Sequence, residues 1–161
     1  MKKIALIYLL APVIVFMSAC KGSGPAEPTA AEAQLEKITG AYNTSSSKTW
    51  TVESVTFGGS EDRTTDWQNF SLTLSTNGSG TNNYATSNAF RPGPWPASGT
   101  WTFGGTAETP NINLIVRDGN LDMAVTVSDV SLTLTFTFDD QVHNGGGRIE
   151  AVNGEYVFKM K

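Results

Sequence analysis

Ser131-Leu132-Thr133-Leu134-Thr135-Phe136-Thr137-Phe138 decides the fold class of this 161-residue chain. Apolar side chains take every even position and hydroxyl-bearing ones every odd position, so a period of two separates the faces completely. A helix would scatter the same side chains around its whole circumference. The stretch carries no charge and has high strand propensity, a composition that pairs indiscriminately when its edges are open, so it is expected as an interior strand. Asp129 on one side and Asp139-Asp140 on the other read as gatekeepers against aggregation.

The same alternation recurs outward in both directions. Toward the carboxyl end, Tyr156, Phe158 and Met160 follow the turn Asn153-Gly154; toward the amino end, Leu121, Met123, Val125 and Val127 form an inward row behind the hairpin turn Asp118-Gly119-Asn120. Residues 111–117 and 99–103 alternate likewise, a weaker strand carries Tyr84, and Phe70-Ser71-Leu72-Thr73-Leu74 precedes the turn Asn77-Gly78-Ser79-Gly80. In residues 48–57, Trp50 and Val52 share one face, but Val55 and Phe57 fall out of phase, which predicts a bulge near Glu53-Ser54. Ahead of these strands, Thr29-Ala30-Ala31-Glu32 matches a capping box and Gly40 offers a stop, giving a helix of about ten residues that closes one end of the domain. The expected fold is all-β: about eight antiparallel strands in an up-and-down, lipocalin-like barrel or a bent sandwich, behind a short helix.

The first nineteen residues have a different character. Lys2 and Lys3 precede an apolar run, residues 4–17, that is shorter than the about twenty residues a bilayer span needs. The run ends in Met17-Ser18-Ala19-Cys20, which resembles the bacterial lipobox. The expectation is a lipoprotein signal peptide over 1–19, a lipidated Cys20 opening a Gly/Pro/Ser-rich tether over 20–28, and one β domain over 29–161. The acyl chains attach such a protein to the membrane without spanning it, since each buried methylene contributes about 0.8 kcal/mol. By resemblance to lipoprotein sorting, Lys21 in place of Asp directs the protein to the outer membrane, with the periplasmic and cell-surface leaflets both open.

Composition excludes several function classes. Losing Lys2 and Lys3 leaves 9 basic against 15 acidic residues, so the mature chain carries a net charge near −6 and has no basic face for nucleic acid. One Cys and one His argue against a disulfide framework and most zinc sites, and neither a metal nor a cofactor is expected. His143 stands beside Asn144-Gly145-Gly146-Gly147 in an expected hairpin loop, where a general base would be poorly held. Asp118-Gly119-Asn120-Leu121-Asp122 lacks calcium-loop spacing, and nothing local pairs Glu53, Asp66, Glu108 or Asp122 for glycoside hydrolysis. The chain is read as no enzyme.

Trp67-Gln68-Asn69-Phe70-Ser71-Leu72-Thr73-Leu74, Trp95-Pro96-Ala97-Ser98-Gly99-Thr100-Trp101-Thr102-Phe103, Ile115-Val116-Arg117-Asp118-Gly119 and Leu132-Thr133-Leu134-Thr135-Phe136 together resemble the lipocalin-like lipoproteins of Bacteroidota, from about Thr29 to the last residue. The resemblance implies a small barrel behind a lipid anchor and no assigned activity. One departure stands out: lipocalins commonly have Gly two before the first-strand Trp, where this chain has Lys48 before Trp50.

The best binding candidate is Phe90-Arg91-Pro92-Gly93-Pro94-Trp95-Pro96, in which prolines stiffen a loop presenting two aromatics and a cation. With Trp67, the residues Phe90, Arg91 and Trp95 form a candidate rim site for a small apolar molecule or glycan fragment. The competing reading makes Trp67 and Trp95 plugs over the barrel edge. Two functions follow: a binding module with a ligand at the barrel mouth, or a filled scaffold serving as accessory subunit to an envelope protein partner.

Overall fold

The computed structural model describes residues 26–90, 93–143 and 152–161, so Cys20, Arg91 and the 145–147 glycines lie outside the described residues. Helix α1 (Ala30–Thr39) begins where the capping box predicts: the Glu32 backbone donates to the Thr29 hydroxyl, and the Thr29 backbone donates to the Glu32 carboxylate at 2.7 Å. It ends at Gly40, whose φ of 96° is the left-handed conformation that glycine adopts without penalty.

The strands are β1 (Ser46–Phe57), β2 (Glu61–Asp62), β3 (Ser71–Thr76), β4 (Asn82–Ser87), β5 (Ser98–Gly105), β6 (Pro110–Arg117), β7 (Leu121–Val127), β8 (Leu132–Phe138) and β9 (Gly154–Met160). From β3 to β9 each strand pairs antiparallel with the next, and β1 pairs with both β3 and β9. The result is an eight-stranded, closed, up-and-down barrel of lipocalin-like form, with β2 as a two-residue spur on β1. Closure settles the choice between barrel and sandwich, because the β1–β9 ladder joins the two sheet edges. Thr51 and Lys161 complete that seam by exchanging both backbone hydrogen bonds at 2.9 Å.

The phase break in β1 is a bulge: pairing with β9 skips from Val52↔Met160 to Ser54↔Lys159. Without it Val55 would face solvent; with it Trp50 and Val55 both lie fully buried inside. The decisive stretch forms β8, paired on both sides by β7 and β9, and its Leu132, Leu134, Phe136 and Phe138 all point inward. The interior is filled by Trp50, Trp67, Trp95, Trp101, Phe70, Phe136, Phe158 and their neighbours, none of these rings more than 4% exposed. Each fully buried side chain of Phe size contributes about 1.5–3 kcal/mol relative to exposure.

The strand directions define two ends. Helix α1 and the turns after β3, β5 and β7 lie at one end, and the connections after β1, β4, β6 and β8 at the other. Helix α1 packs against β1, β3, β6 and β7 and stoppers the first end with Ile38. The Trp50 indole N–H donates to the Ile38 carbonyl at 3.1 Å. Lys48 has a job that glycine could not do. Its ammonium lies 4.0 Å over the Trp50 ring and donates to the carbonyls of Lys37 and Asp129, tying the helix terminus to the barrel rim. His143 is not a loop residue as expected; it ends a four-residue helix, α2 (Asp140–His143).

Candidate functional site

Residues Trp67, Phe90 and Trp95 converge on the end opposite α1, and local chemistry places each one. After β2, the Thr64 hydroxyl and then its N–H, the latter at 2.9 Å, hold the Asp62 carboxyl below its ordinary value, and the N–H bond starts a 3-10 turn over Thr64–Trp67. Arg63 braces the turn through Glu61 at 2.8 Å and Asp66 at 3.3 Å. The Thr64 hydroxyl accepts the N–H of Val55 just past the bulge. Bulge and turn together swing Trp67 over the barrel mouth, edge-on to Phe70 and Phe158 with centroids 5.2 and 4.9 Å away.

The β4–β5 connection crosses the same mouth. Gly93 is required there, because a Cβ would stand 2.5 Å from the Phe90 carbonyl oxygen and 3.3 Å from the Trp67 ring. Trp95 then drops among Phe70, Tyr84, Phe136 and Phe158, at centroid distances between 5.8 and 6.0 Å. Its indole N–H is buried and has no acceptor among the described residues. The connection is fastened by Thr86, whose hydroxyl donates to the Pro96 carbonyl at 2.8 Å, and by the Arg117 guanidinium, which donates to the Pro94 carbonyl.

Trp67 and Trp95 are each 2% exposed, whereas Phe90 is 38% exposed and rests on Trp67 with centroids 5.9 Å apart. Of the predicted quartet, Phe90 therefore offers surface, the two tryptophans close the end beneath it, and Arg91 lies outside the described residues. Sequence reasoning missed the polar group under the connection. Arg117 is buried at the end of β6 and pairs with Asp118 at 3.2 Å, and Tyr84 donates to Asp118 at 2.6 Å. Burial pulls the Arg117 guanidinium below its ordinary value and pushes the Tyr84 phenol up, with the bond to Asp118 adding to the latter. The available signal was parity: Arg117 lies two residues after Ile115 on the inward face. Chemically this cluster is a structural clamp, since its acid, base and phenol are bound to one another.

Open grooves occur at the helix end. One, of about 400 Å³, lies between the start of α1 and Ala107, Pro110 and Ile112; another, of about 390 Å³, lies between the start of β4 and the end of β5. Neither is lined by Trp67, Phe90 or Trp95.

The fold thus defines a lipocalin-like barrel stoppered by a helix at one end and by two tryptophans at the other. Comparison with protein-family models, curated proteins and solved structures finds no match to this chain.

Proposed function

We propose that this chain is a lipid-anchored outer-membrane protein of the lipocalin-like lipoprotein type found in Bacteroidota, without catalytic activity, whose filled barrel is an accessory subunit docking on another envelope protein. One observation carries the reading: the space that would hold a cargo is occupied by the chain's own rings, Trp95 and Trp67 among them. An eight-stranded barrel is just wide enough either to be filled or to hold one ligand, and this one is filled. The lipobox ending at Cys20 supports the anchor. Because α1 starts at the helix end, a tether from Cys20 would join the barrel there, at the end opposite the half-exposed Phe90. An exposed ring on a proline-stiffened connection loses little entropy on docking.

A second reading, a small apolar molecule or glycan fragment bound by Phe90, Arg91, Trp95 and Trp67, draws support from the Trp95 N–H, which lacks an acceptor among the described residues. Pull-down of native, lipidated protein from detergent-solubilised envelopes separates the two. The docking reading expects a stoichiometric protein partner that is lost with Phe90→Ala. Co-purification of a small molecule without protein supports the second reading, and recovery of neither overturns both. Labelling with a fatty-acid analogue should mark the wild type and leave Cys20→Ala unmarked.

A further inference from the structure

At the helix end, the β4–β5 ladder stops at Asn82↔Trp101, while β5 continues to Gly105. Past that point β5 borders the groove of about 390 Å³ lined by Gly80, Asn82, Thr102, Phe103, Gly105 and Thr106 together with Ala107 and Pro110. No lining residue carries a charge, so ionic recognition has no partner here. Phe103 supplies an aromatic face: it is half-buried and stands edge-to-face with Trp101 at 5.6 Å, and Trp101 is itself fixed by its N–H on the Asn83 carbonyl.

The far wall is pre-formed. The Thr106 and Thr109 hydroxyls are 2.9 Å apart, the Thr109 N–H donates to the Thr106 hydroxyl at 3.1 Å, and Gly105 turns the chain with a φ of 79°. Beside this wall the Asn82 carboxamide has an unused acceptor, since its Oδ1 is shielded from water and receives no donor among the described residues. An apolar occupant would leave that oxygen unsatisfied. A hydroxyl donor in the groove would satisfy it once the carboxamide turned about χ2 toward the opening.

We propose that this groove binds a neutral saccharide unit, its C–H face on the Phe103 ring and its hydroxyls on the Asn82 carboxamide and the Thr106 hydroxyl. Sugars combine one apolar face with a rim of uncharged donors and acceptors, which is the complement of this lining. The site lies at the opposite end from Phe90, so it stands whether or not the docking reading does.

The test uses the full chain in a zwitterionic detergent, because glycoside detergents would compete, against an array of neutral oligosaccharides followed by calorimetric titration of the best binder. Binding of a neutral glycan is expected, weakened at least about tenfold by Phe103→Leu, which keeps apolar packing without the ring, and by Asn82→Leu, which keeps size and removes the acceptor. Val130→Ser, at an exposed turn outside the groove, should bind as the wild type does. Circular dichroism and thermal melting establish that each variant is folded. Absence of binding to every neutral glycan, or undiminished binding by folded Phe103→Leu and Asn82→Leu proteins, overturns the proposal.

Discussion

Trp95 and Trp101 are both buried indoles, yet they differ at one atom. The Trp101 N–H donates to the Asn83 carbonyl at 3.1 Å, whereas the Trp95 N–H has no acceptor among the described residues. Replacement by Phe removes similar ring area from each site, so the difference between the two variants isolates the hydrogen bond. Trp101→Phe should therefore cost about 1 kcal/mol more than Trp95→Phe, measured as the shift in urea unfolding free energy. Equal losses would mean that the Trp95 N–H is bonded in solution. Residue-scale chemistry was also the hardest to foresee. Trp67 and Trp95 could be read as rim platforms or, on ring size, rather as plugs, because a sequence gives ring size but not depth. Arg117 was passed over because arginine is rarely buried; its pairing with Asp118 and the Pro94 carbonyl helps make that position tenable.

Helix α1 was legible because both of its ends carry chemistry that acts within four residues. Thr29→Ala removes the hydroxyl side of the capping box and should cost about 1 kcal/mol, while Gly40→Ala places a Cβ at a φ of 96° and should cost at least as much. Glu32 makes the first effect depend on pH. The Thr29 backbone N–H and then its hydroxyl hold the Glu32 carboxyl below its ordinary value of 4.5. A folded value below the unfolded one gives a contribution that is complete above pH 4.5 and lost as pH falls through the folded value. The gap between the thermal melts of wild type and Thr29→Ala should accordingly narrow in acid without closing, since the Glu32 N–H bond to the Thr29 hydroxyl does not titrate. The β1 bulge was legible for a similar local reason, the phase break between Val52 and Val55. The 3-10 turn at Thr64–Trp67 was not, since it depends on Asp62, Arg63, Glu61 and Asp66 meeting in space. Helix α2 has four residues, fewer than a periodic pattern needs to be recognised.

A barrel closed by β1 and β9 has its ladders joined in a ring, so its interior groups should be released together rather than strand by strand. Tyr84 and Tyr156 report on that cooperativity. Tyr156 lies in β9, with its hydroxyl donating to the Val152 carbonyl at 2.9 Å and its ring stacked on Phe136. Burial pushes its phenol from 10.0 up to about 12, and burial raises Tyr84 as well. Unfolded tyrosines ionise at their ordinary value, so between about pH 10 and 12 the folded chain binds more protons than the unfolded one. The stability contributed by the neutral, buried phenols is thus complete below pH 10 and is lost as pH rises through the folded values. Urea midpoints should fall across this window, and Tyr156→Phe, having one fewer such proton, should fall less steeply from a lower starting point. Because the ring opens as a unit, the tyrosinate absorbance of Tyr84 and Tyr156, read in a background carrying Tyr8→Phe and Tyr42→Phe, should rise together with loss of near-ultraviolet dichroism. An early, separate tyrosinate step would show that the β9 seam opens locally, and parallel midpoint curves would show that Tyr156 does not couple to closure.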